Sequence, residues 1–221
     1  MAVVSQPFDR AATCTAPAAP DLELGEFWED DPWTIAFRHN LSGFERNRTY
    51  LNLGNRRFAD ISYLTGADSE GDGRSVVPAD FRCNGQMDLL VRQAGGGPLL
   101  LFENHFPKQS YLKVSLRGSK SNSLGIGARL TAVLGDRLLV RELYPANTFH
   151  SQEASFVHFG LGDRDIVDKL IVRWPSGTNH ELTKVDGNRH IVIDEASGTI
   201  ETVQPGTVIP GVQDIPTVRD E

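Results

Sequence analysis

The chain has 221 residues and a formal net charge of −7 with an isoelectric point near 5.4, a balance that argues against nucleic acid as a partner, because its phosphates would be repelled. Hydrophobic residues make up 39% of it, and 21 glycines with 12 prolines fit a turn-rich chain of strands, long enough for one large β domain or two small ones. No apolar run approaches membrane-spanning length.

Residues 1–26 are rich in Ala, Pro, Ser and Thr without periodicity and are expected to form a flexible leader. They lack the basic and apolar regions of a signal peptide, so the chain as written is expected in the cytoplasm. Cys14 and Cys83 fit no metal-ligand spacing and are expected as two free thiols. The stretch FWEDDPWTIAFRHN (27–40) reads as a hydrophobic clasp over the edge of the sheet that follows. Its alternative role is an aromatic platform, with Trp28 and Trp33 stacking on a flat ligand such as a sugar ring.

From Arg48 the apolar runs shorten to strand length. Tyr50 to Leu53 and Phe58 to Tyr63, joined at Gly54-Asn55, predict a hairpin, and three more short strands are expected before residue 104. Asp68, Glu70 and Asp72 read as a solvated turn, and Asp168 as the end of a turn before a strand over 169–174. YLKVSLRG, IGARLTAVLG, DRLLVRELY, ASFVHFGLG, DKLIVRWPSG, NHELTKV and RHIVIDE then supply about seven strands at sandwich-like spacing. The proline-rich end beyond Glu195 reads as an edge strand and a loose tail.

Polar residues punctuate this core. Asn122, Arg129, Arg141 and Gln152 offer donors suited to a carboxylate or a sugar hydroxyl, with the filling of turn carbonyls as their structural alternative. His158, with His150 and Glu142 or Glu153, would make a metal or acid–base site. Its competing role is that of a core-edge histidine bonded to a backbone carbonyl. No nucleophile elbow and no phosphate-cradling glycine loop before a helix occurs.

SNSLGIGARL (121–130), RE at 141–142 followed by SQ at 151–152, HFGLG (158–162) and VDKLIVRWPSG (167–177) resemble, in order and spacing, the ASPIC/UnbV domain of the cartilage acidic protein-like family, over about residues 104–195. NLGNRRFADIS and DFRCNGQMDLLV resemble one FG-GAP-like repeat, the unit of a propeller blade that often holds calcium. A single blade cannot close a ring. The resemblance therefore implies either further blades in a longer parent chain or a solitary sheet, and an extracytoplasmic setting. The family's calcium pattern, D-x-D-x-D-G-x-x-D, reads here Asp80-Phe81-Arg82-Cys83-Asn84-Gly85-Gln86-Met87-Asp88. Asp80, Asn84 and Asp88 keep oxygen donors, while Arg82 stands where a carboxylate would face the ion. Calcium (Ca2+) is optional at such a loop, because Arg82 could pair with Asp80 and Asp88 in its place.

The expected protein is all-β: a partial propeller-blade-like sheet (27–104) followed by an antiparallel β-sandwich or jelly-roll-like domain (105–203) and a tail (204–221). Its expected function is a non-catalytic binding or protein-interaction module that recognises a glycan or a protein surface. The alternative is an enzyme or accessory protein in natural-product biosynthesis, which the resemblance alone implies. Exposed blade edges favour pairing, so a homodimer is expected.

Overall fold

The computed structural model describes residues 46–69, 73–93, 99–145, 148–149 and 151–204, together with the backbone of two short paired strands, β1 (Gln6–Pro7) and β2 (His39–Asn40). The expectations for the leader, Cys14, Trp28, Trp33, Glu70, Asp72, His150 and the tail beyond 204 lie outside the described residues. The chain divides into two compact units. One comprises Met1–Val77, Leu89–Glu103 and Phe149–Ser151, the other Pro78–Asp88, Asn104–Thr148 and Gln152–Glu221.

In the first unit β3 (Tyr50–Gly54) and β4 (Arg57–Asp60) form the expected hairpin. Asn55 and Arg56 both adopt left-handed φ, 50° and 59°, the turn geometry whose twist matches that of paired strands. The second strand is shorter than its apolar letters predict. The Asp60 carboxylate accepts the amide of Ser62 at 3.0 Å, which turns the chain out of the sheet into a single helical turn, α1 (Ser62–Thr65), stopped by Gly66 at φ 66°. β5 (Gly73–Ala79), β6 (Asp88–Gln93) and β7 (Leu100–Phe102) make a three-stranded sheet. Among this unit's described residues only Ala67, Ser62, Ser75 and Gln93 are buried, while Tyr50, Leu53, Phe58 and Tyr63 are exposed.

The second unit carries the hydrophobic core. β8 (Ser110–Arg117), β11 (Val157–Gly162), β14 (Arg189–Asp194) and β15 (Ile200–Val203) form one sheet in the order β11-β8-β14-β15. β9 (Arg129–Leu134), β10 (Arg137–Glu142), β12 (Ile166–Arg173) and β13 (Asn179–Asp186) form the other in the order β10-β9-β12-β13. Period-2 alternation sends Leu112, Val114 and Leu116 of β8 inward against Leu130, Ala132, Leu134, Leu170, Val172, Phe159, Ile191 and Ile193. Full burial of each large apolar side chain is worth about 1.5–3 kcal/mol, which places the stability of the described fold in this unit. The sandwich departs from the antiparallel expectation at one ladder, where β14 runs parallel to β8, Ile191 opposite Val114. Asp168 lies inside β12, where its carboxylate accepts the Gly135 amide at 2.6 Å. No helix among the described residues is long and apolar enough to cross a membrane.

Candidate functional site

Alternation on β8 leaves Tyr111, Lys113 and Ser115 on the outer face of their sheet, and register extends that face sideways. His158 of β11 lies opposite Lys113, and Lys113 opposite His190 of β14, so two imidazoles flank one ammonium. Such polar groups would ordinarily point to water. Here the segment 78–88 and Phe156 cover them.

The covering segment is the loop Asp80–Asp88. The Asp80 carboxylate accepts the amides of Asn84 and Gly85, each at 2.9 Å, and the Lys113 ammonium at 3.3 Å. Asp88 Oδ1 accepts the Arg82 guanidinium and the Asn104 amide, each at 2.8 Å. Burial pushes the Asp88 carboxyl upward, but the Asn104 amide and Arg82 outweigh it and hold the group below the usual carboxylate range. Asn84 turns its own oxygen on the Gln86 amide at 2.9 Å. Gly85 sits at φ 88° with its α-carbon against the Tyr111 ring, where a β-carbon would come within 2.0 Å. Only glycine meets both conditions.

His158 donates from Nε2 to the Gly85 carbonyl at 2.9 Å and lies parallel to the Tyr111 ring, with centroids 5.9 Å apart. Burial lowers its pKa, the Gly85 carbonyl works in the opposite sense, and the nearby Lys113 charge lowers it further. This is the carbonyl-bonded, core-edge geometry. His190 Nε2 lies 2.9 Å from the Ser115 hydroxyl, and burial, assisted by Lys113, lowers its pKa to about 4. The pair resembles a nucleophile and its base only in type. Ser115 is 3% exposed, and an imidazole titrating near 4 is a weak base at neutral pH. Lys113 completes the group, its ammonium 5.0 Å above the Phe156 ring.

Beside these groups the surface opens into a two-lobed cleft. One lobe, about 440 Å³, is lined by Cys83, Asn84, Gln109, Ser110, Tyr111 and Asn188, and by Lys108. The other, about 310 Å³, shares Cys83, Tyr111 and Asn188 and adds Lys113, Arg189, His190 and Thr202. Cys83 is an exposed free thiol at φ 51°.

The polar residues expected to bind are scattered. Asn122 closes its own turn, exchanging hydrogen bonds with both backbone groups of Ile126 at 2.8 Å. Arg129 pairs across strands with Glu142 at 3.8 Å, and Arg141 donates to the carbonyl of Val140. Gln152 is exposed. Of that set only His158 lies under the loop of Asp80, Asn84 and Asp88. Asp68 pairs with Arg46 at 3.0 Å.

A buried carboxylate that sequence reasoning did not single out organises the opposite end of the domain. Glu195, 2% exposed, accepts the amides of Ser119, Lys120 and Ser121 at 2.6–2.8 Å and the hydroxyls of Ser121 and Ser176 at 2.7 and 2.6 Å. It ties the SNSLG turn to the Trp174-Pro175-Ser176-Gly177 turn. Burial alone would raise its pKa, and the five donors reverse this, holding the carboxyl far below its ordinary range. The clue present in the letters was a Glu at the end of an apolar strand, a place where a charge needs partners.

Residues 118–200 match the family described as ASPIC and UnbV, so this all-β domain spans the Glu195-bound turns and the strands from β9 to β14. No curated protein matches the chain.

Proposed function

We propose that the ASPIC/UnbV domain, joined to the loop 78–88, is a binding module whose site is the Tyr111–Asn188 cleft and whose ligand is rich in hydroxyl groups, as a glycan is. The observation that carries this reading is the make-up of the cleft. Asn84, Gln109 and Asn188 supply amides that both donate and accept, Ser110 and Thr202 supply hydroxyls, and Tyr111 supplies an aromatic surface. Its volume falls in the range of roughly 300–1,000 Å³ usual for small-ligand sites. The strands upstream, with their exposed hairpin, fit a partial FG-GAP-like repeat.

Amide-resolved NMR titration of the full chain with a panel of neutral and uronic-acid oligosaccharides tests the reading. Shifts should cluster at Gln109, Tyr111 and Asn188 and weaken several-fold in Gln109→Ala, whose side chain is exposed. Shifts confined to the outer strand β10, or none at millimolar sugar, would overturn it.

A further inference from the structure

The loop 80–88 has the outline of a cation-binding turn, with oxygen-bearing side chains at its first, fifth and ninth places and a glycine at the sixth, where the chain bends sharply. A divalent ion in such a turn would hold carboxylates together against their mutual repulsion. Here two side chains stand in that role. Arg82 occupies Asp88 Oδ1 at 2.8 Å, and Lys113 reaches Asp80 Oδ2 at 3.3 Å. Asp80 and Asp88 are 2% and 1% exposed, so neither charge is relieved by water. Among the described residues Asp88 Oδ2 has no hydrogen-bond partner, leaving one buried anionic oxygen unsatisfied.

We propose that this loop is a cation site whose cation is built into the protein: Arg82 and Lys113 together supply the two positive charges of a divalent ion, and the loop stays closed without metal. The residues present do not fit calcium, which takes about six to eight oxygens, because both carboxylates already face cationic nitrogens. The unsatisfied Asp88 Oδ2 is the remnant of the replaced geometry. An ion bound bidentately would engage both oxygens, whereas Arg82 engages the other one. The inference does not depend on what the neighbouring cleft binds.

Thermal melts of the full chain in 10 mM calcium chloride and in excess chelator test it, with wild type beside Arg82→Asp and Arg82→Lys. Wild type and Arg82→Lys should melt at the same temperature in both buffers. Arg82→Asp, which adds a third carboxylate, should melt lower in chelator and recover by several degrees in calcium. If Arg82→Asp is unfolded without metal, its refolding on calcium addition, followed by circular dichroism, is the same positive result. A calcium-dependent rise in wild type would overturn the proposal, since the loop would then bind metal with Arg82 in place. So would a folded Arg82→Asp that is indifferent to calcium, or an unfolded one that calcium does not restore.

Discussion

Replacing Glu195 by Gln keeps the shape of the side chain and removes its charge. In the wild type one carboxylate oxygen receives three backbone amides, and the other receives two hydroxyls. Hydrogen bonds to a charged acceptor are worth roughly 1.5–3 kcal/mol and neutral ones roughly 0.5–1.5, so three amides each lose about 1 kcal/mol. The two hydroxyls can rotate to accept from the new amide, which limits their share. Gln at 195 should therefore cost about 3 kcal/mol, or about 12–24 °C in melting temperature for a domain near 100 residues. Glu195→Ala leaves the amides without an acceptor and should cost more, about 4 kcal/mol or above. Chemical denaturation of the two variants measures both. Because the native carboxyl is held below its unfolded value, its contribution is complete above the unfolded pKa and disappears as pH falls through the native one. In Glu195→Gln that part of the acid dependence should be missing. A Gln variant within 0.5 kcal/mol of wild type would refute the idea that a charged acceptor organises the two turns.

His190 sets a second acid response. Its native pKa near 4 lies below the ordinary 6.5, so the unfolded chain binds the proton first and stability falls as pH drops from about 6.5 to 4. His190→Gln should flatten the melting-temperature profile across that window. Gly125 sits at φ 66°, and a β-carbon there would lie 2.7 Å from Leu116 Cβ and 3.1 Å from the Trp174 ring. Gly125→Ala should cost about 2–5 kcal/mol, from left-handed strain of roughly 1–2 and overpacking of roughly 1–3, read by urea denaturation.

The fold was legible wherever local pattern and burial agree. The alternation of KVSLR and the apolar LIV run marked strands that are now β8 and β12, because one face of each meets the core. The parallel β8–β14 ladder was not legible, since nothing local to 112–117 or 189–194 records which strand lies beside which. Asp60 ended a strand that its apolar neighbours would have continued, because a side chain competed with the ladder for a backbone amide. At the candidate site, Arg82 was readable as a misfit among carboxylates, and its pairing with Asp88 follows from charge. Lys113 was hidden, because its position opposite Asp80 depends on a loop folding back over a strand about 30 residues later in the sequence. Glu195 was hidden for a related reason, its three amide donors lying some 75 residues upstream.

The parallel ladder has a consequence for how the domain comes into being. It joins residues 112–117 to residues 189–194, so the central neighbour of β8 is about the last part of the domain to be made. A nascent chain halted before Arg189 would hold β8 paired on one side only, with β11, and its apolar face without Ile191 and Ile193. Closing a contact over about 75 residues costs entropy before any burial is gained, so assembly should be slow and cannot be completed until residues 189–194 have been made. Until then Leu112, Val114 and Leu116 lie on an open strand, the condition in which chains pair with one another instead of with themselves.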